Sequence, residues 1–266
     1  MFSSHVLIVR IAGVVVLGMS LTGSAQTMSP SPSVQQVLAG VRSNVDAMIA
    51  TLPNISCSEH VHSAYLHKGK VKYAVTLESV LQATRMNAKN GDFTEERTSI
   101  HPILTIGKPP GHPKKYTLPF SLTNGFGITY KTFLSSEFEA NNTYKITTEA
   151  GTSWLGLVVT RKGYPTVATF WLDPNSYQIR RFDIVMPDSK ASAGNKHFFI
   201  YEVGTTDYGL VQLGQKPYLI PEKVHDQAWM KHEGSPDQLT YDATYSNCHI
   251  FTSSSRIITD PTAVVP

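Results

Sequence analysis

The stretch Thr166-Val167-Ala168-Thr169-Phe170-Trp171-Leu172-Asp173-Pro174-Asn175-Ser176-Tyr177-Gln178-Ile179-Arg180-Arg181-Phe182-Asp183-Ile184-Val185-Met186 reads as two strands around a tight turn. Asp173-Pro174-Asn175-Ser176 makes the turn, because Pro174 presets φ while the side chains of Asp173 and Asn175 can bond to nearby backbone. The strands are Thr166–Leu172 and Gln178–Met186, and Trp154–Thr160 precedes them through a turn at Arg161-Lys162-Gly163-Tyr164. Three successive antiparallel strands follow. Beyond a Ser- and Ala-rich gap at Asp188–Gly194, further strands are expected at His197–Val203, Gly209–Leu213, Tyr218–Trp229 and Leu239–Phe251. Connections this short favour a meander, in which sequence neighbours pair in space.

Moving towards the N-terminus, Val71, Tyr73, Val75 and Leu77 alternate with polar or small residues, and residues 93–106 read as a strand pair. Lys108-Pro109-Pro110-Gly111-His112-Pro113-Lys114-Lys115 is a loop, since its prolines remove donors and fix φ. Phe126, Tyr130, Phe133, Leu134 and Phe138 fall at helical spacing before the break at Glu139-Ala140-Asn141-Asn142, as a second, short helix whose stripe packs in the core or faces a ligand. The clearest helix comes first. It starts at Ser31-Pro32-Ser33, carries Val34, Val37, Leu38, Val41, Val45, Met48, Ile49 and Leu52 on one face, and stops at Pro53-Asn54. The fold class is mainly β (α+β): an antiparallel sheet covered by these two helices.

Residues 1–25 read as a cleavable export signal. Arg10 precedes the apolar run Ile11–Met19, and Leu21-Thr22-Gly23-Ser24-Ala25 offers small residues for cleavage after Ala25. A membrane span needs about 20 apolar residues, roughly twice this run, so no stable membrane anchor is expected. A lipid-anchored form would need a cysteine just past the apolar run, and the first cysteine is Cys57. Residues 26–30 are then a linker, 31–258 a single domain and 259–266 a flexible tail. The mature protein is expected to be periplasmic or secreted, which places Cys57 and Cys248 in an oxidising compartment. A bridge between them would tie the first strand to the last across a loop of roughly 190 residues; the alternative is two buried free thiols. The formal net charge is only +3, without a long block of either sign, which disfavours a nucleic-acid partner.

No reaction declares itself. Glu59, His60, His62 and His67 suggest a metal set, because alternate strand residues share a face, but His67 is read as lying past the strand end and no second Cys/His pair completes a site. No Gly-x-Ser-x-Gly, phosphate loop or Gly-x-Gly-x-x-Gly occurs. His225 with Asp226 and Glu233 with Asp237 could serve as acid–base pairs, yet no motif organises either. Neither enzyme activity nor a cofactor or metal is expected. Trp154, Trp171, Phe182, Phe199 and Tyr201 are large side chains on predicted strands, and they line a cavity for an apolar ligand or fill an ordinary core.

The hairpin from Phe170-Trp171-Leu172-Asp173-Pro174-Asn175 through Ile179-Arg180-Arg181-Phe182, with the long first helix and the meander, resembles the periplasmic lipoprotein-carrier (LolA/LolB-like) fold. Leu52-Pro53-Asn54-Ile55-Ser56-Cys57, Val211-Gln212-Leu213-Gly214, Tyr218-Leu219-Ile220-Pro221 and Tyr245-Ser246-Asn247-Cys248 are similar to elements shared by a group of exported bacterial proteins of unassigned function. The resemblance spans most of residues 31–258. It implies a curved sheet forming an incomplete barrel, which holds acyl chains or other hydrophobic groups without cofactor or covalent catalysis. The carrier family does not in general place cysteines at both ends of the sheet. The leading expectation is therefore a soluble binding protein for a lipid, an acyl chain or a lipidated partner protein. The alternative is a non-catalytic envelope interaction or sensor module with a filled core, and a hydrolase with a non-standard site is a third. Oligomeric state is not legible.

Overall fold

The computed structural model describes residues 31–87, 92–108, 142–161, 166–186, 198–232 and 235–252. The sequence-predicted second helix, the turn after Arg161, the Ser- and Ala-rich gap, the export signal, most of the proline-rich loop and the tail lie outside the described residues. Helix α1 is Val34–Thr51. Its start is a reciprocal cap: the Ser33 hydroxyl accepts from the Gln36 amide, and the Gln36 side chain accepts from the Ser33 amide. Two of the N–H groups that every helix start leaves unpaired are thereby satisfied. At the other end the last turn holds no basic residue, and Pro53 forces Leu52 out of the helical region (ψ 121°). Arg85 closes that end from the sheet, donating to the carbonyls of Ile49, Ala50 and Leu52.

Among the described residues ten strands follow: β1 Ile55–His67, β2 Lys70–Asn87, β3 Asp92–Gly107, β4 Asn142–Thr148, β5 Leu155–Arg161, β6 Val167–Leu172, β7 Ile179–Met186, β8 Phe198–Leu213, β9 Lys216–His232 and β10 Ser235–Ile250. They form one antiparallel sheet in the order β3-β2-β1-β10-β9-β8-β7-β6-β5-β4. The meander expectation therefore holds from β4 to β10, after which the sheet continues through β1. The sheet is open, and its two edges are β3 and β4, consecutive in sequence.

Register shows which side chains share a face. One row of cross-strand partners runs Leu157, Phe170, Phe182, Thr206, Val224, Ala243, Val61 and Leu77 across eight strands, and all eight are buried. This row defines the inner face. Val37, Val41, Val45 and Ile49 of α1 pack on its β5–β9 part with Leu157, Phe170, Leu172 and Phe182, while Leu52, Ile55, Cys57, Val61, Leu77, Ile220 and Tyr241 form a second cluster on the β1, β2, β9 and β10 part. The offset row Trp171, Arg181, Asp207, Lys223, Thr244, His60, Glu78 and His101 lies on the outer face, because successive strand residues point to opposite sides.

Two expectations need correction. Residues 93–106 are one strand and not a pair; their irregularity comes from register shifts against β2, with Ser99 at φ 50°. Likewise Phe198–Leu213 is one strand, where two, His197–Val203 and Gly209–Leu213, are expected from the sequence. Gly204 sits in close quarters: a Cβ there would come within 3.0 Å of the Ile184 side chain and into ordinary contact, 3.5 Å, with the Asp226 carboxylate. The Cys57–Cys248 disulfide is present and joins β1 to β10, the first and last strands.

Candidate functional site

The inner face offers space beside the C-terminal half of α1. A groove of about 240 Å³ runs there between Asn44, Val45, Met48 and Thr51 of the helix, Ile179 at the start of β7, and Pro217, Tyr218 and Leu219 of β9. Val45, Ile179 and Leu219 are buried and give it an apolar floor, while Asn44, Gln178 and Lys216 supply polar atoms around it. Local chemistry fixes the walls. The Asn44 amide donates to the Ser176 carbonyl (2.7 Å), Asp173 accepts from the amides of Asn175 and Ser176 to hold the turn, and the Tyr218 hydroxyl donates to the Thr51 carbonyl (3.0 Å). Those same Ser176 and Asn175 bonds hold the Asp173 carboxyl below its ordinary pKa. Elsewhere under α1 the face is filled by its own side chains, with Val37, Val41, Leu157, Phe170 and Leu172 at 0% exposure.

Further along the inner face lie carboxylates that an acyl-lined concavity would not need. Glu59 is fully buried and grips Arg97 in a fork, Oε2 accepting from Nε at 2.7 Å and Oε1 from Nη2 at 2.9 Å. The Ser79 hydroxyl donates to Oε2 (2.6 Å), and the Tyr241 hydroxyl accepts from Arg97 (2.9 Å). Burial works to lower the Arg97 pKa, but the Glu59 bonds outweigh it and hold the guanidinium charged. Burial pushes Tyr241 up to about 12 and Tyr245 well above the phenol range. Both oxygens of the Glu59 carboxylate are thus taken, with the Tyr241 hydroxyl donating to Oε1 as well (3.4 Å). At the strand ends, Asp237 accepts from the Tyr65 hydroxyl (2.9 Å) and lies 2.6 Å from His67 Nδ1. Asp226, between Gly204 and Tyr241 in register, is 2% exposed and its Oδ1 has no hydrogen-bond partner. Burial first, then the charge of Glu202, raises its pKa to about 8.

The five sequence-predicted lining residues do not meet in one space. Phe182 is a core residue stacked on Phe170 (centroids 5.1 Å apart). Trp171 is on the opposite face, where the Arg181 guanidinium lies between its ring (5.1 Å) and that of Trp154 (5.4 Å) while binding Glu149 and Asp183. Tyr201 stacks on Trp229, also on the outer face, and is 37% exposed. Phe199 pairs with Met230 in register; its side chain lies outside the described residues. The groove-lining Val45, Met48, Ile179 and Leu219 were not singled out as a site, because each also satisfies the core pattern of its own element.

The histidines separate too. His60 and His62 sit on the outer face, where His62 Nδ1 lies 2.8 Å from the Thr76 hydroxyl. His67, an odd number of residues away, is inside β1 and not past its end, and it turns to Asp237. His225 pairs with Asp242 and not with neighbouring Asp226, which points to the inner face. Glu233 lies outside the described residues. Among the described residues no group of three or more His, Cys, Asp or Glu is placed to hold a metal ion.

The chain is similar to a LolA superfamily protein. That protein is from Nitrosomonas europaea, with 12% identity over 86% of this chain and 98% of the other and a TM-score of 0.31. A putative outer membrane lipoprotein-sorting protein domain from Vibrio parahaemolyticus matches at 9% identity over 82% and 94%, with a TM-score of 0.37. MucB, seen in the MucA/MucB complex of Pseudomonas aeruginosa, matches at 8% identity over 79% and 94%, with a TM-score of 0.21. Superpositions this loose transfer no residue, ligand or partner to this chain. No family model and no curated protein matches the sequence.

Proposed function

We propose that this chain is an exported binding protein that holds one hydrophobic chain, the acyl group of a lipid or of a lipidated partner, in the groove beside α1. The observation that carries the reading is the groove itself, with an apolar floor of Val45, Ile179 and Leu219 and polar groups around it from Asn44, Gln178 and Lys216. Its volume of about 240 Å³ falls just below the usual small-molecule range of roughly 300–1,000 Å³, which suits a single chain segment better than a whole lipid. Burying methylenes is worth about 0.8 kcal/mol each, so about six contribute roughly 5 kcal/mol. The polar rim would leave a carbonyl or headgroup at the surface. Sorting or transfer of lipoproteins is a finer activity, which would need a partner surface besides the groove.

Fluorescence titration of residues 26–266 with cis-parinaric acid tests this. Ala47 lines the groove from the exposed side of the helix, so Ala47→Trp fills the space without disturbing the core. The parent should bind saturably at one site, and the variant should bind about tenfold more weakly or worse at an unchanged melting temperature. Equal affinity of the two proteins, or no saturable binding by the parent, overturns the reading.

A further inference from the structure

One corner of the sheet combines positive charge with exposed aliphatic side chains. The β1–β2 turn carries Lys68, β2 begins with Lys70, Val71 and Lys72, and Lys108 follows the end of β3; all are exposed. Register brings these segments together: His67 pairs with Lys70, Leu66 with Val71, Tyr73 with Gly107, Ala74 with Ile106 and Thr76 with Leu104. Val71, Ile103, Leu104 and Ile106 are 47%, 57%, 51% and 45% exposed. Isolated exposed aliphatics are normal on a protein surface, but four in one corner are not.

The charge there is of one sign as far as the exposed Glu78, which pairs with His101 at the border of the corner. Residues 60–77 and 98–108 contain four lysines and no acidic residue. Asp237, opposite His67, is buried and taken by Tyr65 and His67, and Glu59 is buried against Arg97. Nothing acidic in these segments neutralises the lysines.

The aliphatic side chains are not set up to receive a partner strand. Pro102 removes a donor from β3, and the β2–β3 ladder is broken three times, between Thr76 and Leu77, between Glu78 and Val80 and between Arg85 and Asn87, the first two beside this corner. Proline and bulges at a sheet edge work against strand addition. The cations are all lysines, mobile point charges that follow a diffuse negative field, and not arginines, whose planar fork suits a defined carboxylate. Lysine stems can lie on an apolar surface while the ammonium stays in water. Charge and aliphatic surface together match an interface that is anionic outside and hydrocarbon beneath.

We propose that this corner docks the protein reversibly on an anionic lipid bilayer, with Lys68, Lys70, Lys72 and Lys108 at the headgroups and Val71, Ile103, Leu104 and Ile106 at the acyl boundary. The inference stands apart from the groove reading, since a protein could use this corner with an empty groove. Each lysine near an anionic surface is worth roughly a fivefold change in affinity, and four together on the order of a few hundredfold.

Flotation of residues 26–266 with phosphatidylcholine vesicles, and with equimolar phosphatidylcholine and phosphatidylglycerol, tests it. The parent should float with the anionic vesicles alone, and rising salt should weaken that binding without abolishing it. Lys68→Gln/Lys70→Gln/Lys72→Gln/Lys108→Gln should lose on the order of a few hundredfold in partitioning. Leu104→Ser/Ile106→Ser should keep the low-salt attraction and lose the part that survives added salt. Ala47→Trp should float as the parent does, which separates this proposal from the groove. A parent that stays with the soluble fraction, or a glutamine variant that floats equally well, overturns it. So does a parent that binds polyglutamate but not anionic vesicles, because the partner would then be an acidic polypeptide.

Discussion

The ring of Tyr177 occupies the place where a Cβ on Gly40 would sit, so helix α1 meets the β6–β7 turn through a residue with no side chain. Tyr177 holds a left-handed backbone (φ 55°), which an L-residue other than glycine, asparagine or aspartate seldom adopts. The contact positions the groove wall, since Ser176, one residue earlier, accepts from Asn44. Replacing glycine by alanine inside a helix ordinarily stabilises by about 1 kcal/mol. Here Gly40→Ala should instead destabilise by about 1–3 kcal/mol, as an overpacked site does. In Gly40→Ala/Tyr177→Ala the penalty should vanish and the ordinary helix gain return. Melting curves for the two single variants and the double variant measure this coupling, and additive effects would show that the ring does not crowd Gly40.

The disulfide fastens β1 to β10, neighbours in the sheet although 191 residues apart in sequence. Closing so long a loop restricts the unfolded chain by about 5 kcal/mol in the chain-entropy view, of which about 2–4 is commonly realised. Cys57→Ala/Cys248→Ala should therefore lower unfolding free energy by about 2–4 kcal/mol. Urea unfolding of the oxidised parent, the reduced parent and the variant should group the last two together.

Arg97 reaches Glu59 from the neighbouring side of β2, and the carboxylate has no exposed atom through which water could replace the guanidinium. Removing one member of a buried pair leaves the other uncompensated, at a cost of about 3–5 kcal/mol. Arg97→Met should show that loss, while Glu59→Leu/Arg97→Met should recover most of it, since apolar replacement of both partners is often neutral. Chemical denaturation of both variants decides whether the pair stabilises the fold or only specifies it.

What was legible in the sequence was whatever depends on local periodicity and turn chemistry. Helix α1 follows from its 3.6-residue apolar stripe and Ser33 cap, and the β6–β7 hairpin follows from Asp173-Pro174. The disulfide was legible from compartment and count. Facing was not, because it depends on register across strands. Trp171 and Phe182 look like neighbours on a hairpin, yet Trp171 pairs with Arg181 and Phe182 with Phe170, which puts the two rings on opposite faces. Glu59 did carry a signal, since it alternates with Cys57 and Val61 at inward positions, but its partner Arg97 is fixed only by the register of β1 on β2 and of an irregular β3 on β2. The groove escaped notice because it lies between elements far apart in sequence.

Asp226 makes the protein's stability depend on pH in a direction opposite to that of a paired carboxylate. Its folded pKa is raised from 3.8 to about 8, by burial first and then by Glu202 on the adjacent strand, whose own pKa is raised by burial. Between those two values the folded state holds a proton that the unfolded state has released. Stability from this group is therefore fully present below the unfolded value and is lost as pH rises, at up to about 1.4 kcal/mol per unit, until the folded group ionises. No lysine or arginine faces the carboxylate in register: its row holds Ile184, Gly204, Tyr241 and Ser63. Asp226→Asn removes the proton and keeps the shape. Urea unfolding of parent and variant from about pH 4 to about pH 9 should give curves that meet at the acid end and diverge upwards, with the variant more stable by several kcal/mol at the alkaline end. Curves that stay parallel across that range would mean that Asp226 is ionised in the folded protein and has found a compensating partner.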